Sequence, residues 1–330
     1  MATSIRSSSP AWRAWRWLAV AAACLGLSSA PSAGSPDGSV PTAVRPVPQI
    51  EPIRPIPSPE PMDAARIDLG RSLFEDPRLS HGGDRSCSSC HDTASNGADA
   101  RARDSGPDGQ AIRTNTNTVF NAALSFRLDW IGDAHSLEEQ AAGSLQRSDL
   151  MATTPDEVTR KLAADPARAS AFRQAYDGRD PNWADVLDAL ATYEKTLVTP
   201  DSRFDLWLQG QADAISSDEL AGYRLFKSAG CASCHQGANV GGNLFESNGI
   251  FGQLLNRHTF TMRVPSLRNV AVTPPYFHDG SVADLGEAVQ MMARAQLGRR
   301  FTDAETGQIV AFLGSLTGRY QGRPLTKAGP

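Results

Sequence analysis

The chain has 330 residues, of which 40% are hydrophobic and 21% are charged, and its formal net charge is −4. This is an ordinary soluble composition, long enough for about two domains with cores of their own. Without residues 1–30, which contain three arginines and no acidic residue, the net charge becomes −7. The acidic balance and the lack of a basic patch exclude nucleic acid as an expected partner.

Residues 1–30 have the pattern of a secretory signal peptide. Three arginines precede an apolar run over residues 17–27, and small residues follow it. The run is too short for a membrane span, which needs about 20 residues. Cys24 raises the alternative of a lipid anchor, but AAAC is a poor lipobox, because neither Leu nor Val stands three residues before the cysteine. We therefore expect export to the periplasm without lipidation.

The next segment, residues 31–61, contains ten prolines with Gly and Ser between them. Such a composition disfavours both helix and packed core, so we expect a disordered linker. Beyond it we predict an N-terminal domain over residues 62–200, a C-terminal domain over residues 201–320 and a tail over residues 321–330.

Helix signals recur along the rest of the chain. The stretch DAARIDLGRSLF carries Ala65, Leu69 and Leu73 at helical spacing before the Asp-Pro at 76–77. The stretch NWADVLDALATYEKTL is a long amphipathic pattern that we expect Pro200 to end. Capping boxes predict three further helix starts, at Ser136 and Glu139, at Ser216 and Glu219, and at Thr302 and Glu305. With no strand-rich block, the predicted fold class is all-α.

Two pentapeptides account for four of the five cysteines. CSSCH occupies residues 87–91 and CASCH occupies residues 231–235, so the two histidines are 144 residues apart. A related helical stretch precedes each one, LGRSLF before the first and AGYRLF before the second. The chain is thus a diverged internal repeat of helix, loop and CxxCH, with one small helical domain for each motif.

The motif CxxCH is typical of covalent haem attachment. Its two thiols form thioethers with the haem vinyl groups, and its imidazole becomes the proximal iron ligand. We therefore predict two c-type haems, bound by Cys87, Cys90 and His91 and by Cys231, Cys234 and His235. The alternative is a zinc site built from all four thiolates.

A sixth iron ligand is predicted for the second haem only. After His235 the candidates are His258, Met262, His278, Met291 and Met292. A helix that begins near Ser281 places Met292 on one face with Leu285 and Val289, whereas Met291 points elsewhere. We predict that Met292 is the ligand, with a core methionine as the alternative, because His/Met ligation suits an electron relay.

The first haem lacks a comparable ligand. Between His91 and Pro200 only His135 and Met151 are available, and residues of these types are more often surface or packing residues. We therefore expect an open iron at His91, where a small oxidant binds, with electrons arriving through the other haem.

From Met62 to Gly318 the sequence resembles the bacterial diheme cytochrome c peroxidases. The stretches that carry the resemblance include LGRSLFEDPRLS, NTVFNAALSFRLDW, SLEEQAAG, VPSLRNVAVTPPYFHDGSV and EAVQMMARAQLG. The resemblance implies two cytochrome c-like domains, a peroxidatic N-terminal haem, a high-potential C-terminal haem with methionine ligation, and often a homodimer. Met292, 14 residues after the histidine of YFHDG, lies where that methionine belongs.

The resemblance also implies roles for other residues. Gln140 belongs to the peroxide pocket, and Trp130 assists electron passage between the haems or, alternatively, is an aromatic core residue. His278 hydrogen-bonds a haem propionate. A calcium ion between the domains draws on Asn115 and the carbonyls of Thr273 and Pro275, for which turn formation is the alternative.

The chain also departs from the family pattern. Residues 92–112 contain no histidine, although many members have a distal one there, so this haem is expected to be open without reductive activation. The usual FWDGR is DWIGD, and the usual glutamate ten residues after Gln140 is Leu150, with Asp149 one residue out of register. In the family that glutamate moves protons during O–O cleavage, so its replacement puts the rate of peroxide turnover in question.

Three functions follow. The first is reduction of hydrogen peroxide to water at the His91 haem, with electrons from a small cytochrome c or a cupredoxin. The second is oxidation of aromatic residues in a partner protein, as in relatives that often carry tyrosine in place of the axial methionine. The third is electron transfer without catalysis, which the loss of the distal glutamate supports.

Overall fold

The computed structural model describes residues 51–254 and 260–329, which belong to one compact unit. The predicted signal peptide, Cys24, most of the predicted linker and the candidate ligand His258 lie outside the described residues. Among the helices of the described part, none is long and apolar enough to cross a bilayer.

The described residues are mainly helical, as the sequence predicts. The helices are α1 (Ala64–Phe74), α2 (Leu137–Gln146), α3 (Pro155–Ala163), α4 (Pro166–Ala175), α5 (Trp183–Glu194), α6 (Arg203–Leu208), α7 (Ser217–Ser228), α8 (Leu285–Leu297) and α9 (Asp303–Ser315). Two antiparallel pairs of short strands accompany them, β1 (Phe245–Ser247) with β2 (Thr261–Arg263), and β3 (Arg319–Tyr320) with β4 (Arg323–Pro324).

Side-chain caps fix most of the helix starts. The predicted capping boxes form at Ser216 and at Thr302. At each one the hydroxyl accepts from the backbone N–H of the glutamate three residues later, and the carboxylate of that glutamate accepts from the N–H of the capping residue. At α2 only half of the box forms. Ser136 accepts from the N–H of Glu139, whereas the Glu139 carboxylate accepts from the N–H of His135 at 2.8 Å.

Helix α5 ends earlier than its sequence pattern indicates. Its last helical residue is Glu194, six residues before Pro200. The next N–H groups bond three residues back, Thr196 to Tyr193 and Leu197 to Glu194, so the chain tightens into a turn. Helix α8 likewise begins at Leu285, capped by Asp284, instead of near Ser281.

The internal repeat appears as two equivalent helix crossings. Gly70 of α1 lies against the backbone of Ala189 in α5, and Gly222 of α7 lies against the backbone of Gln308 in α9. A side chain at either glycine would overlap the facing carbonyl oxygen, so each crossing needs a residue without Cβ. The crossing glycines are the second residues of the related stretches LGRSLF and AGYRLF.

Each crossing belongs to its own hydrophobic core. The first core contains α1 and α5 residues such as Leu73 and Leu190, and the second contains α7 and α9 residues such as Phe226 and Phe312. In each half a left-handed asparagine precedes a short 3₁₀ turn, Asn121 with φ 63° before Ala122–Leu124 and Asn269 with φ 62° before Val270–Val272.

Part of the predicted linker packs against the folded domain. Within residues 51–56, Ile53 is 1% exposed and belongs to the second core, and it forms a parallel bridge with Gly237. The Glu51 carboxylate accepts from Lys227 Nζ at 2.8 Å and from the Tyr223 hydroxyl. The disordered linker predicted through residue 61 therefore does not include these residues, because two isoleucines among the prolines supply apolar surface to bury.

Candidate functional site

Both pentapeptides line the same cavity, which has a volume of about 870 Å³. Each begins with a short 3₁₀ turn, Cys87–Ser89 in the first motif and Cys231–Ser233 in the second. The N–H of each motif histidine bonds back to the carbonyl of the first cysteine, at 3.0 Å in both cases. This turn brings two thiols and an imidazole to one wall of the cavity.

The two histidines are held in the same tautomer. His91 Nδ1 lies 3.1 Å from the Gly97 carbonyl oxygen, and His235 Nδ1 lies 3.3 Å from the Val240 carbonyl oxygen. Since a carbonyl oxygen only accepts, Nδ1 carries the proton and Nε2 keeps a lone pair for a metal. Burial lowers the pKa of His91, and it lowers the pKa of His235 to about 4, so both imidazoles are neutral.

The four thiols are suited to thioether formation instead of thiolate ligation. All four are free cysteines that line the cavity. Burial raises the pKa of Cys87 and of Cys90 to about 12 and that of Cys231 to about 11, which disfavours the thiolates that zinc requires. In the described ranges, no group of three or more His, Cys, Asp or Glu side chains is arranged to hold a metal ion, so the zinc alternative gains no support.

The residues present therefore fit two covalently bound haem groups. A buried polar atom of the wall is also left for such a group, since Arg85 lines the cavity and its Nε has no hydrogen-bond partner among the described residues. A haem propionate is an acceptor of the kind that a guanidinium prefers.

Helix α8 presents one face to the second motif's part of the cavity. Leu285, Val289 and Met292 all line the cavity, as the sequence spacing predicts. Met291 is absent from the lining and packs instead with Tyr276 and Val282. Of the other candidates, Met262 and His278 also line the cavity, so the ligand role of Met292 stays a prediction that its position permits.

Helix α2 presents a face to the first motif's part of the cavity. Gln140 and Ser144 supply its polar groups, and the Gln140 Nε2 donates to Ser144 Oγ at 2.9 Å. Leu150 lines the cavity after the helix, whereas Asp149 is outside the lining and pairs with Arg147 at 2.7 Å. Asp149 does not replace the glutamate that the family pattern leads one to expect at Leu150.

The two candidate ligands of the first half lie in different surroundings. His135 is exposed and outside the cavity lining. Met151 lines the cavity but is 8% exposed and packed in the first core. The open iron at His91 stays a prediction.

Trp130 lies where residues of both halves meet. Its Nε1 donates to the Asn115 carbonyl at 2.9 Å, its own carbonyl accepts from the N–H of Arg263 at 3.3 Å, and its ring meets that of His278 at 6.3 Å. Trp130 and His278 both line the cavity. This position fits the predicted contact between the two haem environments.

The residues predicted for calcium lie in two loops that line the same cavity. The N–H of Asn115 donates to the His278 carbonyl at 2.8 Å, and Asn115, Thr273 and Pro275 all line the cavity. The Asn115 side-chain amide donates to the carbonyls of Arg101 and Ala102 at 3.1 and 3.2 Å. The calcium site stays a prediction.

Two carboxyl groups in the cavity wall were missed by the sequence analysis. Asp129 accepts from Gln140 Nε2 at 3.3 Å, and desolvation by the cavity wall raises its pKa although the residue is exposed. Glu194 is 7% exposed, and desolvation raises its pKa to about 8. Asp129 is the first residue of DWIGD, and its place in this unusual motif is the sequence signal for it. Glu194 has no such sequence signal, because polar residues are common near helix ends.

Comparisons with known proteins agree with the two-haem arrangement. Residues 64–213 match the family model for Di-haem cytochrome c peroxidase, and residues 220–317 match the model for Cytochrome c. The chain is 39% identical over 284 residues to the Cytochrome c551 peroxidase of Nitrosomonas europaea, a match that covers 81% of this chain and 84% of that protein.

Two further relatives are similar. The Methylamine utilization protein MauG of Methylorubrum extorquens is 36% identical over 248 residues, covering 71% of this chain and 70% of that protein. Among solved structures, a MauG-like protein associated with microbial copper homeostasis has a TM-score of 0.69 at 26% identity, covering 79% of this chain and 93% of that one.

Proposed function

Because this chain belongs to the di-haem cytochrome c peroxidase family, we propose that it is an oxidoreductase that reduces hydrogen peroxide to water with electrons from a small redox protein. The observation that supports the proposal most directly is the asymmetry of the cavity. The second motif has Met292 on the facing helix, whereas the first has Gln140 and Ser144. A closed relay site and an accessible polar site are what a peroxidase needs.

Covalent haem at Cys87, Cys90 and His91 and at Cys231, Cys234 and His235 would supply the electron storage and the iron site. The chain's own residues prepare these sites. The carbonyls of Gly97 and Val240 keep the imidazole Nε2 atoms unprotonated. The Gln140 amide lies on the first wall, where it would donate to a peroxide oxygen in place of its present bond to Ser144, and Trp130 would assist electron passage between the halves.

Further features of the proposal concern the surroundings of the enzyme. The signal-peptide pattern of residues 1–30 and the need for covalent haem attachment support a periplasmic location. The donor is a small cytochrome c or a cupredoxin, and a homodimer is expected from the family. A calcium ion at Asn115, Thr273 and Pro275 would tie the two loops.

Chelation of this calcium ion is expected to lower the thermal unfolding temperature of the protein. An unchanged temperature would contradict the calcium site.

The test is steady-state turnover of the diheme protein. Peroxide should be consumed with oxidation of two equivalents of reduced cytochrome c, or of a chemical one-electron donor, for each peroxide. Lack of peroxide consumption with every donor, while both haems are reducible, would refute the proposal and leave electron transfer alone.

The MauG similarity supports a second candidate, oxidation of aromatic residues in a partner protein. Met292 argues against it, since relatives with that activity often carry tyrosine at the axial position. Peroxide consumption in the absence of a reduced electron donor, together with oxidation of aromatic residues in a partner protein, would favour this candidate.

A further inference from the structure

Peroxide reduction needs a proton carrier beside the oxygen atoms, and the wall around the first motif offers four carboxyl groups. They are Asp84, Asp104, Asp129 and Glu194. The residue must be accessible from the cavity and must stand beside the polar groups that receive peroxide. These two requirements separate the four.

Three of the four carboxyl groups are engaged or enclosed elsewhere. Asp84 pairs with Arg85 at 3.6 Å and accepts from the Ser80 hydroxyl at 3.4 Å, so it is engaged away from Gln140. Asp104 is 2% exposed and pairs with Arg101 at 2.8 Å. Glu194 is 7% exposed, and its charge acts on the thiol of Cys87, at the attachment side of the site.

Asp129 alone meets both requirements. Its side chain is accessible from the cavity that it lines, and its Oδ1 accepts from Gln140 Nε2 at 3.3 Å. The same amide nitrogen lies 2.9 Å from Ser144 Oγ, so three polar side chains form one cluster on this wall. The charge of Asp129 also acts on His91, whose ring packs at 6.4 Å from Phe74 of α1, so the cluster lies within electrostatic reach of the first motif.

The backbone holds Asp129 in this place. Its φ is 65°, in the left-handed region, which aspartate tolerates better than most residues. An antiparallel bridge between Leu128 and Ala134 closes the turn around it, and its carbonyl accepts from Arg263 Nε at 3.0 Å. Since that arginine comes from the second half, both halves of the chain hold the backbone of Asp129 in place.

We propose that Asp129 is the acid–base residue for peroxide reduction in this chain, an inference that rests on the proposed function. Its carboxylate accepts the proton that hydrogen peroxide loses from one oxygen on binding. It then returns that proton to the other oxygen as the O–O bond breaks, so that this oxygen leaves as water with both peroxide hydrogens. The remaining oxygen becomes the second water with two protons from solvent and two electrons from the donor.

The proposed role of Asp129 bears on Leu150, which stands where the family usually has a glutamate. That side chain also lines the cavity, so an apolar group stands on the wall at the position where a carboxyl group is usual in the family. Asp129 supplies a carboxyl group from another element of the same wall, so the chain keeps one acid–base group beside Gln140.

The surroundings of Asp129 suit such a role. Burial raises its pKa and Asp133 raises it further, whereas the hydrogen bond from Gln140 and the charges of Arg147 and Arg263 oppose the shift. Because a general base must be ionised, kcat/KM for peroxide should rise with pH through a pKa above the ordinary aspartate range. This acidic limb should disappear when the carboxyl group is removed.

The experiment compares Asp129→Asn with Asp133→Asn in the diheme protein. Asp133 is an exposed carboxyl group in the same turn and is outside the cavity lining, so it is a matched control. Asp129→Asn should lower kcat/KM for peroxide by about 10²-fold or more, with Asp133→Asn close to wild type. Asp129→Glu should retain part of the rate, and Asp129→Asn combined with Leu150→Glu should recover it.

A second readout does not depend on turnover. Hydrogen cyanide must lose its proton to bind ferric iron, so its association rate should fall in Asp129→Asn and not in Asp133→Asn. An Asp129→Asn variant within about twofold of wild type in both measurements would overturn the inference, and so would an equal loss in the control. If wild type itself consumes no peroxide, the proposed function fails instead, and the cyanide rates alone decide the role of Asp129.

Discussion

His91 and His235 have similar local surroundings, but individual side chains make their two sites different. Each imidazole faces a phenylalanine at a ring separation of 6.4 Å, Phe74 in the first half and Phe226 in the second. Counted from the crossing glycine contacts, Glu194 of the first half corresponds to Leu313 of the second, and both line the cavity. At this position the first site therefore carries an ionisable group where the second carries an apolar one.

At the residue scale, Met292 has a matched neighbour that allows a clean test. Met292→Ala should convert the second haem from low spin to high spin and lower its reduction potential, because the methionine sulfur stabilises ferrous iron. Met291→Ala should change neither property, since Met291 packs outside the cavity. Spectroelectrochemistry of the two variants measures both effects. A potential unchanged in Met292→Ala, or a shift in Met291→Ala alone, would show that another residue is the ligand.

Glu194 should make stability depend on pH. Desolvation raises its pKa from 4.5 to about 8, so the folded state holds the proton that the unfolded state releases between these values. The free energy of unfolding should therefore fall as pH rises through this window, by up to about 1.4 kcal/mol for each pH unit, and stay low above it.

Denaturant unfolding of wild type and Glu194→Gln from pH 4.5 to pH 8 measures the effect, with Glu75→Gln as the control for an exposed carboxyl group. The difference in unfolding free energy between wild type and Glu194→Gln should change with pH across the window. A constant difference would mean that Glu194 is ionised in the folded protein.

The residues that the sequence predicts best are those that chemistry fixes locally. The CxxCH spacing predicts two thiols and an imidazole on one short turn, and they line the cavity together. Asp129 and Glu194 could not be assigned in this way. Their roles depend on whether the turn at residue 129 and the end of α5 line the cavity. Contacts between residues distant in sequence decide this, such as the contact of Arg263 with Asp129.

At the scale of elements, the two glycine crossings set the distance between the paired helices. Gly70 and Gly222 let α1 approach α5 and α7 approach α9 backbone to backbone. A Cβ at either position would have to displace a facing helix, which is part of the wall that positions the cavity. Close helix approach is thus a condition of the site as well as of the fold.

Gly70→Ala and Gly222→Ala should each lower the free energy of unfolding by about 1–3 kcal/mol through overpacking, despite the better helix propensity of alanine. Gly307→Ala is the matched control, because Gly307 lies in α9 with open space around its missing Cβ. That variant should be stabilised by about 0.5–1 kcal/mol. Chemical denaturation monitored by circular dichroism tests the pair, and a stabilised Gly70→Ala would contradict the crossing.

Element types were easier to predict than element ends. The apolar spacing predicts α1 and α5, and the capping residues predict the starts of α2, α7 and α9. The end of α5 was wrong by several residues, because its last turn is tightened by backbone bonds that precede Pro200. A proline forbids helix beyond it, but it does not require helix up to it.

At the scale of the whole molecule, the two halves share a buried joint. Thr199 Oγ1 receives the side-chain amide of Asn121 at 2.7 Å and that of Asn269 at 3.0 Å, and both asparagines are fully buried. Equivalent residues of the two repeats thus meet on one hydroxyl. The repeats are held as a single unit around the cavity, which suits electron passage between two fixed sites.

The central claim is that the two sites divide the work, with an open first haem and a second haem closed by Met292. The direct test is the spin state of the ferric diheme protein, followed by electron paramagnetic resonance before and after peroxide is added. We expect one high-spin and one low-spin haem, with peroxide changing the high-spin signal first. Two low-spin haems that do not respond to peroxide would contradict it.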